Sequence, residues 1–114
     1  MWEIETSDDF AEWFQSLSTK AAQSITAGID MLSEKGPALG RPTVDTLEGS
    51  RIHNLKELRA SSLRVIFAFD PRRTAILLVG GDKAQHGWSR WYPTAIRQAE
   101  QLYEAHLQRL RKEQ

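Results

Sequence analysis

The sequence predicts an α+β fold in the order β-α-α-β-β-β-α. Two apolar helical stripes follow one another near the start with almost nothing between them. Three strand-like runs joined by short turns fill the middle, and one long amphipathic stripe ends the chain. Short turns force neighbouring strands to run antiparallel. The expected architecture is therefore a curved antiparallel sheet packed against an αα-hairpin, with a C-terminal helix. At 114 residues, length predicts one domain over 1–114.

Each element has a local reason. Trp2-Glu3-Ile4-Glu5-Thr6 alternates and reads as a short strand. Ser7 is placed as an N-cap, and Asp8 and Asp9 favour the positive end of the helix that follows. Phe10, Trp13, Phe14 and Leu17 then fall at i, i+3, i+4 and i+7. Ser18 or Thr19 restarts a second helix whose face is Ala22, Ile25, Ile29 and Leu32, and Gly36-Pro37 stops it. Residues 36–50, rich in Gly and Pro, read as a long loop of the kind that carries function.

The strand-like runs are 52–59, 63–69 and 74–79, joined at 60–62 and 70–73. Leu63, Val65, Phe67 and Phe69 share one face of the second run. The third run is apolar on both faces, as a central strand covered on both sides would be. Gly80-Gly81 ends it, and 82–91 forms a polar and aromatic connection. Tyr92-Pro93 opens the last helix, with Ile96, Ala99, Tyr103, His106 and Leu110 on its stripe.

Composition narrows the function classes. The chain is 40% apolar and 26% charged, which argues against disorder. It has no cysteine, which excludes a thiolate metal site and a disulfide scaffold and suits a reducing compartment. His53, His86 and His106 lack metal-ligand spacing, and no phosphate loop or nucleophile elbow is present. No metal and no cofactor is expected. No stretch is long and apolar enough to span a bilayer, and Met1-Trp2-Glu3 does not open a signal peptide, so a cytoplasmic protein without a membrane partner is expected.

Formal net charge is zero, but it is unevenly spread. Residues 1–40 carry seven carboxylates against two lysines, and residues 41–114 carry thirteen basic against eight acidic side chains. The basic portion could attract a polyanion such as RNA; the plainer reading is a solvated surface.

The residues left for chemistry are a basic cluster on the strands and beyond them: Lys56, Arg59, Arg64, Lys83 and Arg90. Arg59 and Arg64 flank a tight turn, so antiparallel pairing brings them opposite each other. Two like charges so placed repel unless an anion lies between them. An RNA phosphate fits, because the guanidinium fork donates two parallel hydrogen bonds. The plainer alternative pairs Arg59 with Glu57 or Asp70. Tyr92 and His86 could stack on a base or exchange protons, or they could simply pack at the helix start and in an exposed loop. Trp88 and Trp91, flanking Arg90, read as anchors of their loop.

Three segments carry a resemblance: Leu55-Lys56-Glu57-Leu58-Arg59, Leu63-Arg64-Val65-Ile66-Phe67, and residues 76–83 from Ile76 to Asp82-Lys83. With Trp88-Ser89-Arg90-Trp91-Tyr92 before the last helix, the chain resembles the RelE/HigB/ParE toxin superfamily of type II toxin–antitoxin systems. The likeness is greatest to its phage Gp49-like, HigB-type branch. The resemblance implies a ribosome-dependent mRNA endonuclease that inhibits translation without a metal, the RNA 2′-hydroxyl attacking the adjacent phosphate. It implies that Arg59 and Arg64 hold the phosphate, that Lys83 neutralises developing charge, and that Tyr92 stacks on the scissile nucleotide or aids proton transfer. Glu57 and His86 become acid/base candidates, and Lys56 and Arg90 RNA-binding ones. The implied partners are mRNA, the ribosome and a cognate antitoxin, commonly of helix-turn-helix type. Where RelE carries two lysines, this chain has Leu55 and Glu57. That departure supports an alternative: a ParE-like gyrase poison, or an inactive homologue that binds only its antitoxin.

Overall fold

The structure is a computed structural model describing residues 1–52 and 54–113, with residues 86 and 88 described by backbone alone. The element order is β1 (Glu3–Thr6), α1 (Asp8–Gln15), α2 (Thr19–Lys35), a 3-10 turn (Gly36–Ala38), β2 (Val44–Thr46), β3 (Lys56–Ala60), β4 (Leu63–Phe69), β5 (Thr74–Asp82), α3 (Lys83–His86) and α4 (Trp88–Lys112). The strands form one sheet in the order β1-β5-β4-β3-β2. Neighbours from β2 to β5 are antiparallel, and β1 joins the edge of β5 in parallel.

Helices cover both faces of the sheet, which is why β5 is apolar on both sides. On one face Phe10 of α1 and Ile25 and Leu32 of α2 pack on Leu58, Val65, Phe67 and Leu77. On the other, Ile96, Ala99 and Tyr103 of α4 pack on Ile66, Ala68, Ile76 and Leu78. Each such large side chain, when fully buried, stabilises the fold by about 1.5–3 kcal/mol. Both helix starts are capped as expected, Ser7 Oγ accepting from Phe10 N at 2.9 Å and Ser18 Oγ from Ala21 N at 3.2 Å. Ser7 Oγ also donates to the Leu78 carbonyl at 2.6 Å, tying α1 to the central strand.

Four expectations shift. The long loop contains β2, whose three residues are too few to show an alternating pattern. The first meander strand begins at Lys56 rather than at 52, because Ser50 Oγ and Arg51 N donate to Glu100 Oε2 at 2.9 and 2.6 Å and hold that segment on α4. The last helix begins at Trp88, one turn before Pro93, which sits inside it and leaves the Ser89 carbonyl without its intrahelical donor.

The fourth shift concerns Gly80 and Gly81. They lie within β5 instead of ending it. A Cβ on Gly80 would stand 2.2 Å from the Trp13 ring, and one on Gly81 would stand 2.3 Å from Trp91 Nε1. The pair admits one indole to each face of the strand. Gly81→Ala is expected to cost about 1–3 kcal/mol through overpacking, seen as a lower urea midpoint at unchanged m-value. Adding Trp91→Leu recovers part of that loss.

A buried polar tie fixes α4 to the β4–β5 turn. His106 Nε2 lies 2.9 Å from Asp70 Oδ2, while Asp70 Oδ1 accepts from Arg72 N at 2.8 Å and Thr74 N at 3.0 Å. Tyr103 donates to the Phe69 carbonyl at 3.0 Å. His106 therefore holds the fold together, as its place on the helical stripe suggested. Among the described residues no helix is long and apolar enough to cross a membrane.

Candidate active site

Pleat parity puts Glu57 and Arg59 on the α4 face of β3, and the register sets Arg59 directly opposite Arg64. The anion that such a pair requires is internal. Arg59 donates to Glu57 Oε2 through Nε at 3.1 Å and a terminal nitrogen at 2.8 Å. Arg64 Nε lies 3.9 Å from Glu57 Oε1, which also accepts a short hydrogen bond from the Tyr92 hydroxyl of α4. Glu57 is 4% exposed and Arg64 8%. Arg64 is aimed by two more bonds, to the Ser61 and Leu63 carbonyls at 2.7 and 2.8 Å.

The chain of charges continues outward to β2. Arg59 reaches Asp45 Oδ2 at 3.4 Å, and Arg41 Nε reaches the same oxygen at 3.2 Å. These groups line an open cleft of about 920 Å³, walled by Glu48 on one side and by Tyr92 and Ile96 on the other. Hydrogen bonding to Glu57 pushes the Arg59 guanidinium above its ordinary pKa. Hydrogen bonding from Arg41 holds Asp45 below the usual carboxylate range. A buried ion pair of this kind is costly to break from one side, about 3–5 kcal/mol when one partner is removed.

The Tyr92 phenol is pushed well above its ordinary value. Burial is the main cause, followed by the bond to Glu57 and its charge, with Arg64 opposing. In the unfolded chain a tyrosine ionises near pH 10. Above about that pH the unfolded state releases the proton first, so stability falls as pH rises toward the folded value. Tyr92→Phe is expected to flatten this alkaline fall, measured as urea midpoints from about pH 9 to 11. Tyr103, whose phenol burial also raises, keeps its own smaller part of the slope.

The structure thus brings together Glu57, Arg59, Arg64 and Tyr92 and separates the rest. Lys83 does not line the cleft. Because β5 runs on to Asp82, Lys83 starts α3, its N–H donating to the Ser62 carbonyl at 3.0 Å. Its backbone stands beside the β3–β4 turn, just past Gly81 and Asp82, which pair with Arg64 and Leu63. Lys56 pairs in register with Phe67, which puts it on the α2 face, away from Glu57. Arg90 lines a different cavity. The side chains of His86 and Trp88, and all of His53, lie outside the described residues. Asp70, the other suggested partner for Arg59, is instead engaged by His106.

Arg41 and Asp45 were invisible to the sequence reading. The one signal was their place in a long loop, since β2 is too short to announce that it completes the cleft.

The sequence pattern of the phage-derived Gp49-like proteins matches residues 12–104. The toxin candidate HigB3 of Mycobacterium tuberculosis is 52% identical over 94 residues, covering 81% of this chain and 82% of its own length. The toxin candidate HigB2 of the same organism is 44% identical over 100 residues; the match covers 83% of this chain but only 49% of HigB2. In three dimensions the chain is similar to the archaeal RelE–RelB complex of Pyrococcus horikoshii. The TM-score is 0.61 at 20% identity, covering 74% of this chain and 97% of that one. The chain belongs to the phage-derived Gp49-like family and to the HigB toxins, and it has the fold of RelE.

Proposed function

We propose that this chain, read as a single domain, is the toxin of a cytoplasmic type II toxin–antitoxin pair and cleaves mRNA on the ribosome. The observation that carries the reading is the buried Glu57 carboxylate, gripped by Arg59 and Tyr92 with Arg64 close by. In the resting state that carboxylate occupies the position of a substrate phosphate. When a phosphodiester enters, Arg59 and Arg64 transfer to its oxygens, and Glu57 is freed as a base beside them. Glu57 takes the proton of the ribose 2′-hydroxyl, and the 2′-oxygen bonds to phosphorus. The P–O5′ bond breaks, leaving a cyclic phosphate and a 5′-hydroxyl end. Tyr92, kept protonated at neutral pH, gives its proton to the leaving oxygen and recovers one from Glu57 through their shared hydrogen bond. His86 is the other candidate acid.

The partner that controls such a toxin is a cognate antitoxin, as RelB is to RelE in the antitoxin–toxin complex of Methanococcus jannaschii. We expect one of helix-turn-helix type. The deciding experiment is primer extension on translated mRNA after induction of the chain. New 5′ ends within coding regions support the reading, and growth arrest without them overturns it.

One observation favours a second reading. Arg59, the most exposed cation of the Glu57 cluster, is already neutralised by Glu57 and Asp45. A homologue that only binds gyrase or its antitoxin would tolerate that permanently. DNA-damage signalling without RNA ends selects the gyrase form, and the absence of toxicity selects the inert one.

A further inference from the structure

A second concavity, of about 420 Å³, lies on the other side of the Trp91–Tyr92 ridge, lined by Gln85, Arg90, Trp91, Thr94 and Gln98 over the β5 backbone. We propose that it is a nucleotide subsite, holding the base and phosphate of the nucleotide next to the dinucleotide whose linking phosphate sits in the Glu57 cleft. The inference rests on the RNA reading above.

Position is the first argument. The Trp91 and Tyr92 rings are 5.0 Å apart, one facing each cavity, so a strand draped over this ridge reaches both with adjacent nucleotides. Chemistry is the second. Trp91 offers a π surface that stacks on any base. Arg90 offers a phosphate fork. The Gln85 and Gln98 amides and the Thr94 hydroxyl each present both a donor and an acceptor to a base edge. The third argument is availability. Gln98 donates to Asp9 Oδ2, but Gln85, Arg90 and Thr94 make no hydrogen bond or ion pair among the described residues. Three polar side chains around one partly buried indole, in a volume suited to a single small ligand, match a nucleoside site.

The test uses the whole chain and uncleavable 2′-O-methyl RNA, two or three nucleotides long, with binding followed by NMR. The third nucleotide is expected to tighten binding about tenfold, the scale of one stacked base, and to shift the Gln85 side-chain amide and the Trp91 indole. In Arg90→Ala and in Gln85→Ala the gain should fall below about twofold, with dinucleotide affinity unchanged. Both residues are exposed, so the variants fold. If the dinucleotide binds and the third nucleotide adds nothing, or its gain survives both substitutions, the second subsite is wrong and the cleft reading stands. If the dinucleotide fails to shift residues of the Glu57 cleft, both fall. Resonances of the second cavity that move with the antitoxin and not with RNA would assign that surface to protein and overturn the subsite.

Discussion

Glu57→Gln is expected to slow mRNA cleavage by about 10²–10⁴-fold, the contribution of a general base, while making the cleft a better anion site. The two effects come from one carboxylate. With Glu57 in place, the guanidinium of Arg59 is neutralised and Arg64 stands beside the same charge. Glutamine keeps the shape, removes the charge and leaves two cations opposed across β3 and β4. The variant should therefore be less stable, by up to about 3–5 kcal/mol. Inorganic phosphate should restore much of that loss, because a ligand that binds only the folded state stabilises it by mass action. Thermal unfolding with and without phosphate checks this directly: a rise in Tm for the variant, and a much smaller one for the parent. Parental cleavage by the variant would remove Glu57 as the base. Phosphate that leaves the variant's Tm unmoved would mean that Arg59 and Arg64 do not form an anion site.

That carboxylate also marks how far the sequence could be read. The meander was legible because its turns are short and its apolar residues alternate, and strand parity alone separates Lys56 from Glu57. The opposition of Arg59 and Arg64 followed from the same register. The sequence offered Glu57 as a partner for Arg59, and the structure bears that pairing out, but nothing in the sequence said that the same carboxylate would also stand beside Arg64. That depends on Tyr92 arriving from α4 to bury the group, a contact between residues 35 positions apart. The place of Lys83 was hidden for a related reason. Two glycines read locally as a strand end, whereas Trp13 and Trp91, distant in sequence, require them inside the strand. Arg41 and Asp45 complete the cleft through a three-residue strand and the loop before it, held by pairing with β3 and by Val44 in the core. Periodicity reports what faces the core; it does not report which charges meet across elements.

Arg64→Ala is the second large effect, and it separates the cleft from the cations around it. Arg64 is nearly buried, and one terminal nitrogen is fixed by the Ser61 and Leu63 carbonyls, so its guanidinium is held in place. Fixed donors of this kind stabilise developing negative charge without reorganising during the reaction, and losing one costs about 10²–10³-fold in rate. Arg64→Lys should recover little, because an ammonium cannot donate to two carbonyls and a phosphate in the same plane. Lys83→Ala, by contrast, should change the rate far less, since Lys83 does not line the cleft. The measurement is the yield of new RNA 5′ ends per unit of folded protein, with urea unfolding reporting the stability of each variant. Equal losses for Arg64→Ala and Lys83→Ala would mean that catalysis does not take place over Glu57. A large loss confined to Arg64, with the lysine variant folded but still slow, places the scissile phosphate against that guanidinium.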